Sequence, residues 1–294
     1  MKALVIAEHA DAARELCAGA RTMADEVVAI SFGDTVEPGV SDRIARISVP
    51  EGAVLDDAAD TVVGVFDAEK PGVVLAEPTR HVKTIVGKLA YHAGTAVITD
   101  AISFEGATAT SLYFGGIAQR AQKPGDVAVY TVGSGVFDPA GAQGEGAVED
   151  VAWVAPVRGT KLVSSQPIEK SGVDLTKADV VMAAGRGFTE ESQLDVARDI
   201  CEKIGGGLGC TRPLTEGLDW FPREAYIGVS GLMLSPKVYV GIGTSGQMQH
   251  MVGVNRAETV FAINKDKNAP IFKQCDYGLV GDIKDVLPAL AAAL

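Results

Sequence analysis

Apolar residues along this chain recur in two rhythms, and the way the rhythms alternate predicts the architecture. The consecutive apolar run Lys2-Ala-Leu-Val-Ile-Ala7 reads as a strand buried on both faces. Ala13, Leu16, Cys17, Ala20 and Met23 follow at helical spacing, and a second β-rich run extends from Val27 to Phe32. A helix around 58–68, a strand from Val73 to Ala76 and a helix opened by Pro78-Thr-Arg80 and running through Leu89 carry this β-α-β beginning on to Ala96-Val-Ile-Thr99. From Ala101 to Val154 the text changes to Gly, Pro and short β-rich runs such as Asp126-Val-Ala-Val-Tyr-Thr131 and Val148-Glu-Asp-Val-Ala-Trp-Val154, which predict partly antiparallel strands.

Polar Ser164 to Lys177 reads as a linker, after which the α/β rhythm restarts at Asp179-Val-Val-Met-Ala-Ala184. Gly185-Arg-Gly187 leads to a helix expected from near Thr189, with an apolar stripe at Leu194, Ala197, Ile200 and Ile204. Further strands are expected at Val238 to Ile242, Thr259 to Ile263 and Ile271 to Phe272, and a last helix is marked by Ile283, Val286, Leu287, Leu290 and Leu294. The fold expected is α/β in two domains, a mixed-sheet domain over 1–165 and a parallel-sheet, Rossmann-like domain over 166–294.

Composition supports this picture and narrows the partners. With 47% hydrophobic residues, 34 glycines and 6% aromatics in 294 residues, the chain suits parallel strands packed by Val, Ile and Ala. A net charge of −12, from 38 acidic against 26 basic residues, disfavours nucleic acid and anionic membranes. Any anionic ligand must therefore be met by local positive groups. No apolar run approaches the ~20 residues of a membrane span, and the chain enters its first strand without a signal sequence. Cys17, Cys201, Cys210 and Cys275 form no metal-binding spacing and read as reduced thiols of a cytoplasmic protein.

The most informative stretch runs from Lys237 to Asp266: a β-branched strand, the turn Gly241-Ile-Gly-Thr-Ser-Gly-Gln-Met-Gln-His250, a short helical pattern, and Val260-Phe-Ala-Ile-Asn-Lys-Asp266. A strand that breaks into glycines before a helix bares backbone N–H groups toward one point, which suits a dinucleotide pyrophosphate. The spacing Gly241, Gly243, Gly246 fits G-x-G-x-x-G, a match equally compatible with a tight strand-to-helix turn. Asn264 stands 18 residues after Gly246, where a nicotinamide dehydrogenase would place its ribose-binding acid; an amide there weakens that reading, while Asp266 keeps it open.

Gly185-Arg-Gly187, Cys210-Thr-Arg-Pro213, Ile227-Gly-Val-Ser-Gly231, the strand and glycine turn from Val238 to His250, Phe261-Ala-Ile-Asn-Lys-Asp266, Ala269-Pro-Ile-Phe272 and Asp276-Tyr-Gly-Leu-Val-Gly-Asp282 together resemble the electron transfer flavoprotein alpha subunit. Cys210-Thr-Arg-Pro213, Trp220 and Asn264-Lys-Asp-Lys-Asn-Ala-Pro270 are closest in wording to the FixB branch, which includes a carnitine-metabolism subunit. The resemblance implies an alpha chain that binds FAD, pairs with a beta subunit contacted by its N-terminal domain, and passes electrons between an acyl-CoA dehydrogenase or reductase-type partner and another redox protein. It implies no metal and no independent substrate turnover.

The resemblance places Arg212 beside the isoalloxazine, Ser230 near N5 and His250 near O2, as flavin-tuning groups. It further implies cofactor contacts from Arg186, Thr211, Gly228, Val229, Gly231, Ser245, Gly246, Gln247, Met248, Gln249, Asn264, Asp282 and Ile283. A cation at the N1/O2 side favours the reduced ring. One arginine at ~4 Å and an effective dielectric of ~20 contributes about 4 kcal/mol, which after screening is on the order of 100 mV.

Each residue also has a plainer reading. Arg212, held extended by Pro213, is otherwise a surface arginine, and Arg186 a strand-end arginine facing water. His250 is otherwise a core or capping histidine and Ser230 a turn residue, while Ser245 and Gln249 are candidate helix caps and Asp282 a natural N-cap. Two departures from the family's usual wording lie near the expected ring: Pro213-Leu-Thr-Glu216 after Thr211-Arg212, and Val229 before the hydroxyl. The competing classes are a nicotinamide-dependent dehydrogenase and a nucleotide-binding regulatory module without redox chemistry.

Overall fold

The run at the amino terminus becomes β1 (Lys2–Ile6), whose Ala3, Leu4, Val5 and Ile6 are buried to 1% exposure or less, as an unbroken apolar strand in the middle of a sheet requires. The computed structural model describes residues 1–116, 118–166 and 173–294, and the chain forms two units, Met1–Gln166 and Pro167–Leu294. Residues 167–172 of the expected linker lie outside the described residues.

In the first unit, α1 (Ala10–Met23), β2 (Glu26–Phe32), β3 (Arg43–Ile47), α2 (Ala59–Glu69), β4 (Val73–Ala76), α3 (Arg80–His92), β5 (Val97–Glu105), β6 (Thr108–Tyr113), β7 (Ala118–Gln122), β8 (Ala128–Val132) and β9 (Ala147–Val151) follow in order. They build one nine-stranded sheet in the order β7-β6-β5-β8-β4-β1-β2-β3-β9. Val5, Ala7, Val27 and Leu75 pack against α1 on one face, and Leu4, Ile6, Val28 and Val74 against α2 and α3 on the other. Among the described residues the antiparallel strand pairs are β5-β6 and β6-β7, so the sheet is mixed as expected.

The two runs that suggested antiparallel pairing are instead parallel. β8 inserts between β4 and β5 with all five residues buried, and β9 lies parallel to β3 at the opposite edge. β3 itself, Arg-Ile-Ala-Arg-Ile, escapes the sequence pattern because its outer positions are arginines that pair across the edge. Arg43 reaches Glu149 at 2.8 Å and Arg46 reaches Asp150 at 2.7 Å.

The second unit runs β10 (Val180–Ala184), α4 (Leu194–Ile204), β11 (Gly207–Cys210), β12 (Val238–Ile242), α5 (Met248–Met251), β13 (Thr259–Asn264), β14 (Tyr277–Val280) and α6 (Ile283–Ala293). Its five strands are all parallel, in the order β11-β10-β12-β13-β14. α4 and α6 cover one face through Leu194, Ala197, Ile200 and Leu287, while Ile227, Met251 and Ile271 fill the other.

Two expectations are corrected in this unit, and one strand goes unread. Ile271 and Phe272 belong to a 3-10 turn, Pro270–Lys273, in which Ile271 is a fully buried plug, and the last strand is Tyr277–Val280. α4 starts at Leu194, because Thr189 is held in a preceding turn by the Gln193 side chain, which accepts from its amide at 2.9 Å. β11 has two glycines in four residues and so gives no apolar signature; a Cβ on Gly207 would lie 2.4 Å from Leu175. No described helix is long and apolar enough to cross a membrane.

At the carboxyl ends of the first unit's parallel strands, the chain occupies its own crevices. Beyond β1, the amides of Glu8 and His9 donate to Glu77 Oε2 at 2.7 and 3.1 Å, and His9 Nδ1 lies 2.7 Å from Glu77 Oε1. Beyond β8, the amides of Gly135, Val136 and Phe137 donate to the Glu15 carboxylate at 2.9, 2.7 and 3.1 Å. Carboxylates thus take the places an anionic ligand would otherwise fill.

Candidate functional site

In the second unit the chain leaves β10 outward to β11 and then crosses back to β12, so the connections part between β10 and β12. A 2-1-3-4-5 order of this kind puts a ligand crevice outside the carboxyl ends of those two strands. The register brings the strand ends level: Ala184 pairs with both Cys210 and Ile242, and Ile242 with Ile263. Gly185-Arg186-Gly187, Thr211-Arg212, the turn from Gly243 to Gln249, and Asn264 therefore share one edge.

The two loops at the crossing touch backbone to backbone. Gly185 N donates to Ile242 O at 2.8 Å and Gly187 N to Gly243 O at 2.9 Å. Gly243 has φ +60°, and a Cβ on Gly187 would stand 2.6 Å from its Cα. Gly246, at φ +78°, lies under the Pro270–Lys273 turn, where a Cβ would come 2.3 Å from Ile271 N. Gln274 Nε2 braces the same turn by donating to Gly246 O at 2.9 Å. Glycine is required at Gly243 and Gly246 on both counts, conformation and space, and at Gly187 by space.

The G-x-G-x-x-G reading is corrected in part. Gly241 is a strand residue paired opposite Ala183 and Ala262, and α5 is a single turn, too short to present a helix dipole. The turn instead offers amide donors: those of Gln247, Met248 and Gln249 lead α5, and among the described residues no carboxylate accepts from the amides of 243–249. Gln247, without a side-chain cap bond, is the N-cap, so Ser245 and Gln249 do not cap.

The segment Gly228–Gly231 joins this edge. Ile227 N donates to Cys210 O at 3.0 Å, Val229 N to Gln249 O at 2.9 Å, and Gly231 N to Gly228 O at 2.8 Å, which closes the turn on either side of Val229 and Ser230. Val229 and Met248 are exposed at 52% and 40%, an apolar rim beside the polar loops. Ser230, Arg186 and Arg212 are exposed, and Arg186 makes no ion pair among the described residues.

His250 is the sharpest departure from expectation. Its ring is 6% exposed, Nδ1 donates to Ile227 O at 2.9 Å, and Nε2 accepts from the Tyr239 hydroxyl at 2.7 Å. Burial drives its pKa down to about 4, so the ring is neutral with both nitrogens committed to the protein. In this arrangement His250 is a strut between β12 and the Gly228–Gly231 turn, and it presents no N–H to a ligand. Burial likewise pushes the Tyr239 hydroxyl up. Sequence reasoning overlooked Tyr239; its signal was a tyrosine in a core strand, whose hydroxyl needs a partner.

The remaining candidates take structural places. Asn264 Nδ2 donates to Thr244 O at 2.7 Å and its Oδ1 accepts from Asp266 N at 2.9 Å, so the amide staples β13 to the glycine turn. Asp266 in turn accepts from Asn268 N at 2.9 Å, which turns one of its oxygens back onto the chain. Asp282 caps α6 through Lys284 N at 3.0 Å, two strands away from the crossing. The Ile283 side chain, 6% exposed, packs in the core, so any contact it makes is through its backbone.

Two features suit a large nucleotide at this edge. The Thr211 Oγ1 is buried without a hydrogen-bond partner, a hydroxyl still wanting one, and among the described residues no carboxylate accepts from the amides of 245–249. The family comparisons agree. Residues 174–255 match the model described as electron transfer flavoprotein FAD-binding domain, and residues 3–156 the model described as electron transfer flavoprotein domain.

Fold and site thus define an electron transfer flavoprotein chain whose second unit is an FAD-binding domain. Protein FixB of Escherichia coli O127:H6 (strain E2348/69 / EPEC) is 38% identical over 295 positions, covering 95% of this chain and 94% of that protein. Protein FixB of Shigella flexneri shows the same identity and coverage. The chain belongs to the electron transfer flavoprotein alpha subunit/FixB family.

Proposed function

We propose that this chain is the FAD-holding half of a cytoplasmic heterodimeric electron carrier that serves an acyl-CoA dehydrogenase or reductase-type partner and turns over no substrate of its own. The observation that carries the reading is the run of backbone amides in the turn after the glycine crossing between β10 and β12, on an edge shared with the exposed Arg186, Arg212 and Ser230. Residues 1–165 are read as the scaffold that meets the beta subunit, and 166–294 as the cofactor domain. Buried Cys17, Cys201 and Cys210, with thiol pKa values pushed up to about 12 by desolvation, suit a reducing compartment.

Bound FAD would supply the one- and two-electron chemistry. Arg186 and the amides of Ser245, Gly246, Gln247, Met248 and Gln249 suit the pyrophosphate, Thr211 Oγ1 a polar edge of the cofactor, and the Gly228–Gly231 turn the flank of the ring. Arg212 offers a cation to negative charge added to the ring, and Ser230 an O–H donor. Asn264 and His250 act behind them, fixing the turns. With His250 neutral and sealed, the edge has no free imidazole for general acid-base work, which favours a carrier over a dehydrogenase.

The test is the visible spectrum of the chain co-purified with its beta subunit. The expected result is a flavin spectrum with about one FAD held by this chain's second unit. A colourless heterodimer after reconstitution with excess FAD would overturn the reading.

A further inference from the structure

Arg212 has a partner that the fold delivers to it. Its Nε donates to Glu216 Oε2 at 2.5 Å. Between the two, Leu214 and Thr215 are anchored at 0% and 7% exposure, and the Arg212 carbonyl accepts from Thr215 N at 3.1 Å, Glu216 N at 2.9 Å and Thr215 Oγ1 at 2.9 Å. Pro213 fixes the entry to this turn. The carboxylate is thus brought back over the guanidinium by backbone geometry, although both side chains face solvent at 59% and 42% exposure.

An exposed ion pair adds little to folding stability. Its electrostatic effect on a neighbour is larger, because a paired arginine and glutamate act as a dipole, whose field decays faster than that of a lone cation. We propose that Glu216 is a tuning residue that acts through Arg212, offsetting its charge so that negative charge added to bound FAD is stabilised less than an unpaired arginine would stabilise it. The inference rests on the reading of Arg212 as a neighbour of the flavin ring.

The experiment is equilibrium redox titration of the FAD-loaded heterodimer carrying Glu216→Gln, Arg212→Gln, both changes, or Glu216→Asp, each checked for wild-type circular dichroism. Glu216→Gln is expected to favour the first electron about tenfold, a rise of about 59 mV. Glu216→Asp, which keeps the charge, should stay near wild type. In the Arg212→Gln background the Glu216 change should alter the equilibrium less than about twofold, since an exposed carboxylate acting alone is screened.

An equal rise in both backgrounds would show Glu216 acting directly and overturn the inference. So would no rise for Glu216→Gln while Arg212→Gln lowers the potential, a result that leaves the flavin placement intact. If neither variant moves the potential of tightly bound FAD, Arg212 is not at the ring, and the inference falls together with that placement. The titration is made without turnover and therefore reads the cofactor's environment, not the carrier's activity.

Discussion

At the carboxyl end of β1 the first unit sets Glu77 against the amides of Glu8 and His9, whereas at the end of β10 the second unit sets two glycines against Gly243 with no side chain between them. Both sheets are parallel at this point, and both reverse their connections beside the strand in question, β1 between β4 and β2, β10 between β12 and β11. A crevice lined by backbone donors is therefore a product of the topology and occurs twice. What separates the two edges is whether the chain supplies its own anion. Glu77 and Glu15 close the first edge; glycine and the absence of any carboxylate on the amides of 243–249 among the described residues leave the second available. Fold alone does not assign the function.

The harshest way to break this comparison is to distort the glycine turn itself. Gly246→Ala forces a φ of +78° on an alanine and drives its Cβ to 2.3 Å from Ile271 N, a backbone atom that cannot give way. A loss on the order of 3 kcal/mol in the second unit is expected, with FAD occupancy lost as well. Urea denaturation followed by circular dichroism, and flavin absorbance, read the two effects; a yellow variant with unchanged stability would show that the turn's shape is not what holds the edge open.

The strut behind the open edge gives an effect of similar size in pH. His250 has a folded pKa of about 4 against an ordinary value of 6.5. Its stabilising contribution is complete above about pH 6.5 and is lost as the pH falls toward 4, because the unfolded chain binds the proton first. At 1.36 kcal/mol per unit the loss is about 3 kcal/mol. Urea midpoints between pH 4 and 7 should show it, and His250→Gln should flatten that part of the curve.

Opening the closed edge is gentler. Glu77→Gln removes the charge from bonds to the amides of Glu8 and His9 and should cost the first unit about 2 kcal/mol. Hydrogen exchange at those two amides should quicken while FAD stoichiometry stays at the wild-type value. Loss of flavin from this variant would contradict the separation of roles. Smallest is Tyr239→Phe, which leaves His250 Nε2 buried without its donor. About 1 kcal/mol of stability should go, and the His250 ring resonances should shift.

The parallel core of both units was legible from the sequence because its strands are unbroken apolar runs. Val73 to Ala76, Val238 to Ile242 and Thr259 onward stand where the pattern puts them. Strand order and direction were not legible, since β8 and β9 earn their places by pairing with strands remote in sequence. Ile271 shows the limit of a short apolar run: the same signal serves a strand and a buried plug beneath a turn. At the site, Gly243 and Gly246 were readable as a backbone that tolerates no side chain. The inward turn of His250 was hidden, because its two partners, the Tyr239 hydroxyl and the Ile227 carbonyl, become neighbours only after folding.

The edge that β9 supplies has a consequence for synthesis. Arg46 and Asp150 meet across 104 residues of chain, so β3 emerges from the ribosome long before the strand that covers it. At about 5–20 residues per second the delay is roughly 5 to 20 s, time in which an uncovered apolar edge would invite pairing with another nascent chain. Arg43 and Arg46, which also pair with Glu69 and Asp34, keep that edge charged before Glu149 and Asp150 arrive. Charged side chains that look decorative in the finished molecule thus guard a growing one.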